Sequence, residues 1–250
     1  GILWLKESPH YLIVSDQYEE AVQLIHYVAE FNGAQLPDGW ILQKNPIRER
    51  GRICDLFQKK YRETTTLLYA VYSCCVFSYY GISFISVRYF QHMDKVYGLD
   101  TELYWEMTIT TMAEIPALLL GLLMIDRAGR RGVMNVAFMS FAISCYLLVP
   151  YQLQQVRVLG IALIFIGRMW INLGFIGLGI YFVEYYPTYI RATALGFAIS
   201  LGRFAGIVTT FTAESLAITL GLYLYGCGGL IAFVASILLR SDTLKKQMSD

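Results

Sequence analysis

The sequence predicts an all-α membrane protein: a bundle of six transmembrane helices, preceded by a polar segment that carries an amphipathic helix. Three observations predict it. Hydrophobic residues make up 56% of the 250 and charged residues only 16%, with a mean hydropathy of +0.47. Average soluble chains hold roughly 45–50% apolar and about 25% charged residues. The surplus is gathered into six runs, at about 66–87, 103–125, 133–150, 158–183, 192–213 and 216–239. Each is close to the ~20 residues a helix needs to cross a hydrocarbon core of ~30 Å. The third observation is charge asymmetry. With residues 1–65 on the cytosolic side, fifteen of the 20 Lys and Arg residues fall on cytosolic segments, as the positive-inside bias requires. Both ends of the chain then face the cytosol, in the plasma membrane or an intracellular vesicle.

The elements follow in order. Gly1 to Leu5 reads as the tail of a preceding span, which marks the chain as part of a longer protein. Within the 1–65 linker, Ser15 or Asp16 can cap a helix in which Ala21, Val22, Leu24, Ile25, Val28 and Ala29 recur at helical spacing. Asn32-Gly33 ends that helix, and Leu36-Pro37-Asp38-Gly39 reads as a turn. The bundle over 66–239 is helical because lipid offers no partner to an unpaired backbone group, and its runs lack the alternating polarity of barrel strands. Residues 240–250 are expected to form a cytosolic tail.

The exclusions are as firm. A net charge of +1 gives no field for gripping nucleic acid. Five cysteines without a C-x-x-C pair predict neither disulfide framework nor zinc site. The glycines Gly174, Gly177, Gly179, Gly202 and Gly206 lie inside apolar helices with no Lys-Ser/Thr after them, so they read as helix-packing positions and not as a nucleotide loop. With no catalytic constellation, metal cluster or cofactor motif, the sequence does not read as an enzyme.

Charges in and beside the spans carry the functional reading. The short connection between the second and third spans holds Asp126, Arg127, Gly129, Arg130 and Arg131, and the end of the fourth span holds Glu184-Tyr-Tyr-Pro187 followed by Arg191. Two charged elements at one membrane face can pair across helices, closing that face in one state and parting in another. Arg203 sits mid-span, where a charge costs about 2.5–3.5 kcal/mol on insertion scales. It therefore faces either an anionic substrate in a wet cavity or a structural partner, Glu106 or Glu114. Those two acids share one helix face, because eight residues turn a helix about 800°. Either could bind a cation or proton, or neutralise Arg203. Pro116 is expected to bend the helix just beyond Glu114. Tyr79 and Tyr80 suit a cavity for ring-bearing molecules, or an interfacial anchor. Asn172, Phe175 and Tyr181 are further candidates on the fourth span, of which only some can face inward. Arg168 reads as a pairing residue.

These residues together resemble the major facilitator superfamily. The resemblance rests on Glu7-Ser8-Pro9, on the Asp-Arg-x-Gly-Arg-Arg loop at 126–131 and on Glu184-x6-Arg191. The finer pattern, including Asn32-Gly33-Ala34, Phe77-Ser78-Tyr79-Tyr80-Gly81, Tyr104-Trp105-Glu106, Glu114-Ile115-Pro116 and Gly167-Arg168-Met169, resembles the branch of synaptic-vesicle-two-related proteins and organic ion transporters. His10 departs from the arginine that sugar porters carry there. The resemblance implies a twelve-helix secondary transporter, of which this chain supplies helices seven to twelve and a further six-helix half supplies the rest. It implies a small organic solute held between the halves, with a lean to anions from Arg203, and leaves the coupling ion open. It also implies an alternative, a vesicle-resident binding or scaffold protein that keeps the fold without transporting.

Overall fold

The computed structural model describes residues 7–34, 36, 37, 40, 42, 51–97, 103–153 and 157–239. The stub at 1–5, the Asp38-Gly39 corner and the 240–250 tail lie outside the described residues. The chain divides into two compact units, 1–51 and 52–250.

In the first unit, α1 (Pro9–Val14) packs on α2 (Tyr18–Phe31) through buried Leu12, Ala21 and Leu24. The expected cap is different. Gln17 occupies the N-cap without a side-chain bond, Asp16 takes a left-handed φ of 65°, and Ser15 instead closes α1 by donating to the carbonyls of Tyr11 and Leu12. A tight corner between two helices leaves no extended residue for Ser15 to cap from. Asn32 does end α2, its side chain donating to the Val28 carbonyl.

The second unit begins with α3 (Ile53–Leu56), earlier than the expected boundary at residue 66, because Leu56 is fully buried and Phe57 meets the ring of Phe197 edge-on. Then come α4 (Arg62–Tyr97), α5 (Leu103–Thr111), α6 (Glu114–Leu153), α7 (Arg157–Tyr185), α8 (Thr188–Ser215) and α9 (Ile218–Leu238). Five stretches are long and apolar enough to cross a bilayer, the longest being Tyr104–Pro150 at 47 residues. A straight helix of that length would run ~70 Å, more than twice the hydrocarbon core. It is two spans. Gly129, at φ 75° and ψ 162°, breaks α6 into arms 114–128 and 130–153. Gly121 on one arm and Phe138 on the other both meet α7, near Leu173 and at Gly174 respectively, so the arms run side by side. With α6 counted as two arms, the helices form the six-helix bundle that the sequence predicts.

Gly129 stands in a backbone region open almost only to glycine. Gly129→Ala is therefore expected to cost about 1–3 kcal/mol, read as a lower melting midpoint of the full-length protein in detergent and lower surface abundance.

Two spans differ from their expected outlines. The first extends to Tyr97, past the apolar run, because Phe90 and Met93 stay fully buried there while Asp94 is paired. The second is broken at Met112–Ala113 into α5 and the first arm of α6. Pro116 has no N–H for the Met112 carbonyl, which instead takes the N–H of Ile115 at 3.1 Å. The expected bend thus lies one turn before the proline.

Lipid offers no apolar driving force between helices, so close packing holds the bundle. Large rings sit on glycines: Phe138 on Gly174, Phe141 on Gly229, Tyr225 on Gly81. Gly177 is likewise in contact, with Met134. Gly179 faces open space, and Gly202 and Gly206 receive the rings of Tyr72 and Tyr80 rather than another backbone.

Candidate functional site

One turn-spaced face of α4 presents Tyr72, Val76, Tyr79 and Tyr80; α7 brings Phe175, and α8 brings Ile199, Gly202 and Arg203. Together they line a cavity of about 260 Å³ at mid-span. The wall is aromatic and interlocked. Phe175 lies between Tyr72 and Tyr79, with centroids 5.7 and 5.8 Å away, and Tyr79 meets Tyr80 edge-on at 5.6 Å. Gly202 lets the Tyr72 ring approach α8, since a Cβ there would stand 2.7 Å from it.

Arg203 supplies the charge. Its guanidinium is exposed toward the cavity and acts electrostatically on the Tyr72 hydroxyl. Among the described residues no carboxylate is paired with it. Glu114 accepts from the Tyr79 hydroxyl at 3.1 Å, behind the wall, with buried Arg168 close enough to interact with both. The Nε of Arg168 has no hydrogen-bond partner among the described residues. Glu106 stands elsewhere. It pairs with Arg157, which also holds Asp94 at 3.0 Å, at the far end of α4 and α7. It stands eight residues before Glu114, ~12 Å of helical rise toward that end. Asn172 is half-buried on α7, outside the cavity lining, and Tyr181 is fully buried in the core.

At the opposite, basic face the expected latch divides. Arg130 bonds Glu184 at 2.8 Å and lies 3.7 Å from Asp126, joining α6 to α7. The second oxygen of Glu184 is buried with no hydrogen-bond partner among the described residues. Arg191 instead bonds the Tyr186 carbonyl at 3.2 Å, across the Pro187 corner. Arg131 donates to the carbonyls of Ser236 and Ile237, capping α9, which suits a cation at a helix C-terminus. Arg127 is exposed. Beneath them Tyr186 donates to Thr65 at 2.9 Å, and burial pushes the Tyr186 hydroxyl pKa up, keeping the donor protonated.

Four of the eight residues weighed for binding, Tyr79, Tyr80, Phe175 and Arg203, thus line one cavity. Tyr72, Val76 and Ile199 join them without having been singled out, and Gly202, read from the sequence as a helix-packing position, joins them too. Their signal was spacing, since 72, 76, 79 and 80 share one helical face and Ile199 stands one turn before Arg203. Arg157 and Asp94 carried no such signal.

The helices long and apolar enough to cross a bilayer define the chain as part of a multi-pass membrane protein. The family described as sugar (and other) transporter matches residues 1–240. The chain belongs to that family, within the major facilitator superfamily, and corresponds to the C-terminal half of its members. It is 32% identical to the putative transporter svop-1 of Caenorhabditis elegans over 99% of this chain and 51% of that protein. It is 32% identical to the synaptic vesicle 2-related protein of Xenopus laevis over 96% of this chain and 47% of that protein. It is 27% identical to organic cation/carnitine transporter 7 of Arabidopsis thaliana over 92% of this chain and 52% of that protein. The chain spans about half the length of the curated relatives it matches.

Proposed function

We propose that this chain is half of a secondary transporter that carries small organic anions by alternating access, the solute resting against the Arg203 cavity. The observation that carries the reading is an arginine at mid-span, in an aromatic recess, with no carboxylate paired to it among the described residues. Such a charge must be repaid by a wet cavity or a ligand. Aromatic walls beside it favour a ring-bearing or otherwise apolar body with one anionic group. The second half of the cavity belongs to the other six helices of the full-length protein. On this reading Tyr79, Tyr80, Phe175 and Arg203 touch solute. Glu114 acts from behind Tyr79, and Glu106 and Asn172 are the weaker candidates. The basic face, carrying the Arg130–Glu184 pair, is the cytosolic one.

Thermal melting of the full-length protein across organic anions, organic cations and sugars tests this. A bound solute raises stability by RT ln(1 + [L]/Kd), about 2.7 kcal/mol at a hundredfold excess over Kd. Stabilisation by anions alone is the expected outcome. Stabilisation by cations or sugars and not by anions would overturn the anion reading.

A further inference from the structure

The second span is built as a short hinged piece with a charged fastener at its outer end. The piece is α5, nine residues from Leu103 to Thr111. Its fully or nearly buried side chains are polar, Thr110 and Glu106, while Tyr104, Trp105 and Ile109 are exposed. An element that buries so little apolar surface is drawn from the low end of local stability. At its inner end the helix is interrupted at Met112–Ala113, where Pro116 leaves the Met112 carbonyl to a three-residue bond from Ile115. Thr108, Thr110 and Thr111 each turn their hydroxyls back onto carbonyls four residues earlier, which loosens and bends a helix further.

At the outer end the fastener is Arg157. It opens α7 and lies between Asp94 of α4 and Glu106 of α5, all three largely buried at 11%, 14% and 5% side-chain exposure. The second oxygen of Glu106 is buried without a hydrogen-bond partner among the described residues. At this end α5 is attached by the ion pair and by Met107, which packs on the core, and loss of one partner of a buried ion pair is strongly destabilising. On the other side of the hinge the first residue of α6, Glu114, holds the cavity residue Tyr79. Glu106 of the fastener, the break at Met112–Ala113 and Glu114 beneath Tyr79 follow one another between residues 106 and 114.

We infer that α5 is a hinged flap at the face opposite the basic one, pivoting at Met112–Ala113 and latched by Arg157 between Asp94 and Glu106. The inference goes beyond the cavity reading and holds whichever solute is carried. Release of the ion pair frees α5 to swing out as a unit, while Glu114 and the rest of α6 stay with the bundle.

The test is the rate at which a water-soluble maleimide labels Thr110→Cys, buried on α5, in the full-length protein in nanodiscs, followed peptide by peptide by mass spectrometry. Ser236→Cys, buried on α9, is the reference site. Arg157→Gln is expected to speed labelling at position 110 at least tenfold and leave position 236 unchanged, with Arg157→Lys close to the parent rate. Adding Pro116→Ala to Arg157→Gln restores a donor for the Met112 carbonyl, heals the hinge and slows position 110 several-fold. Labelling at 110 indifferent to Arg157, or an equal rise at 236, would overturn the latch. Labelling that Pro116→Ala does not slow would overturn the hinge.

Discussion

Arg203→Ala lowers the affinity of the full-length protein for organic anions by roughly 10- to 150-fold and leaves its melting midpoint unchanged or higher. The two halves of that expectation have different causes. A hydrogen bond to a charged group is worth about 1.5–3 kcal/mol, and each 1.4 kcal/mol is tenfold in binding, which sets the loss. Stability moves the other way because Arg203 has no carboxylate partner among the described residues, so its removal strands no buried acid. It also lifts an insertion cost of about 2.5–3.5 kcal/mol. A structural arginine behaves oppositely, since truncation would lower the midpoint and affect every solute alike. Arg203→Lys separates charge from shape: it keeps the field but loses the planar fork that meets a carboxylate with two parallel bonds. An intermediate affinity is expected, with the greater share of loss for carboxylates. Uptake or binding measured side by side for an aromatic carboxylate and an organic cation decides the matter, and equal loss for both would remove Arg203 from the solute site.

The bundle was legible because length and hydropathy fix a membrane helix almost by themselves, and because Gly129 between charged residues leaves the chain only one way to turn. What hydropathy could not report was helix continuing under polar letters. The end of α4 carries His92, Asp94 and Lys95 yet stays helical on the strength of buried Tyr89, Phe90 and Met93. Nor could it report helix failing inside an apolar run, as at Met112–Ala113, where a missing N–H four residues downstream decides. The cavity was half legible. Residue chemistry singled out Tyr79, Tyr80, Phe175 and Arg203, whereas Tyr72 and Ile199 needed their spacing to be read against a known neighbour. Pairing of charges was the least legible part. Glu106 meets Arg157 fifty-one residues away, and nothing in one chain's pattern says which of several acids will reach which base. The same holds for the expected latch, in which Arg130 meets Glu184, Arg131 reaches the end of α9 and Arg191 bonds the Tyr186 carbonyl.

Arg130 and Glu184 give the second large effect, and its sign can be worked out from their surroundings. Their side chains are 16% and 23% exposed and 2.8 Å apart. Removing either leaves the other's charge in a largely dry site, so Arg130→Gln and Glu184→Gln are each expected to lower both the melting midpoint and the turnover of the full-length protein. Residues in one ion pair couple by 0.5–3 kcal/mol, so the double variant loses much less than the sum of the singles. Exchange of the two charges, Arg130→Glu with Glu184→Arg, restores the parent only in part, because a glutamate at 130 cannot donate to the Ile125 carbonyl as Arg130 does at 3.3 Å. Asp126 stands 3.7 Å from the Arg130 guanidinium, and a glutamate placed at 130 would face it with like charge. Adding Asp126→Asn to the exchanged pair removes that solvent-screened repulsion and recovers a small further part of the turnover. The same Asp126→Asn change in the parent, where Asp126 is 83% exposed, is nearly silent, as exposed ion pairs are. Turnover and melting midpoint across these variants test the pair: strictly additive losses would show that Arg130 and Glu184 act independently, and an exchange that fully recovers without Asp126→Asn would show that Asp126 takes no part.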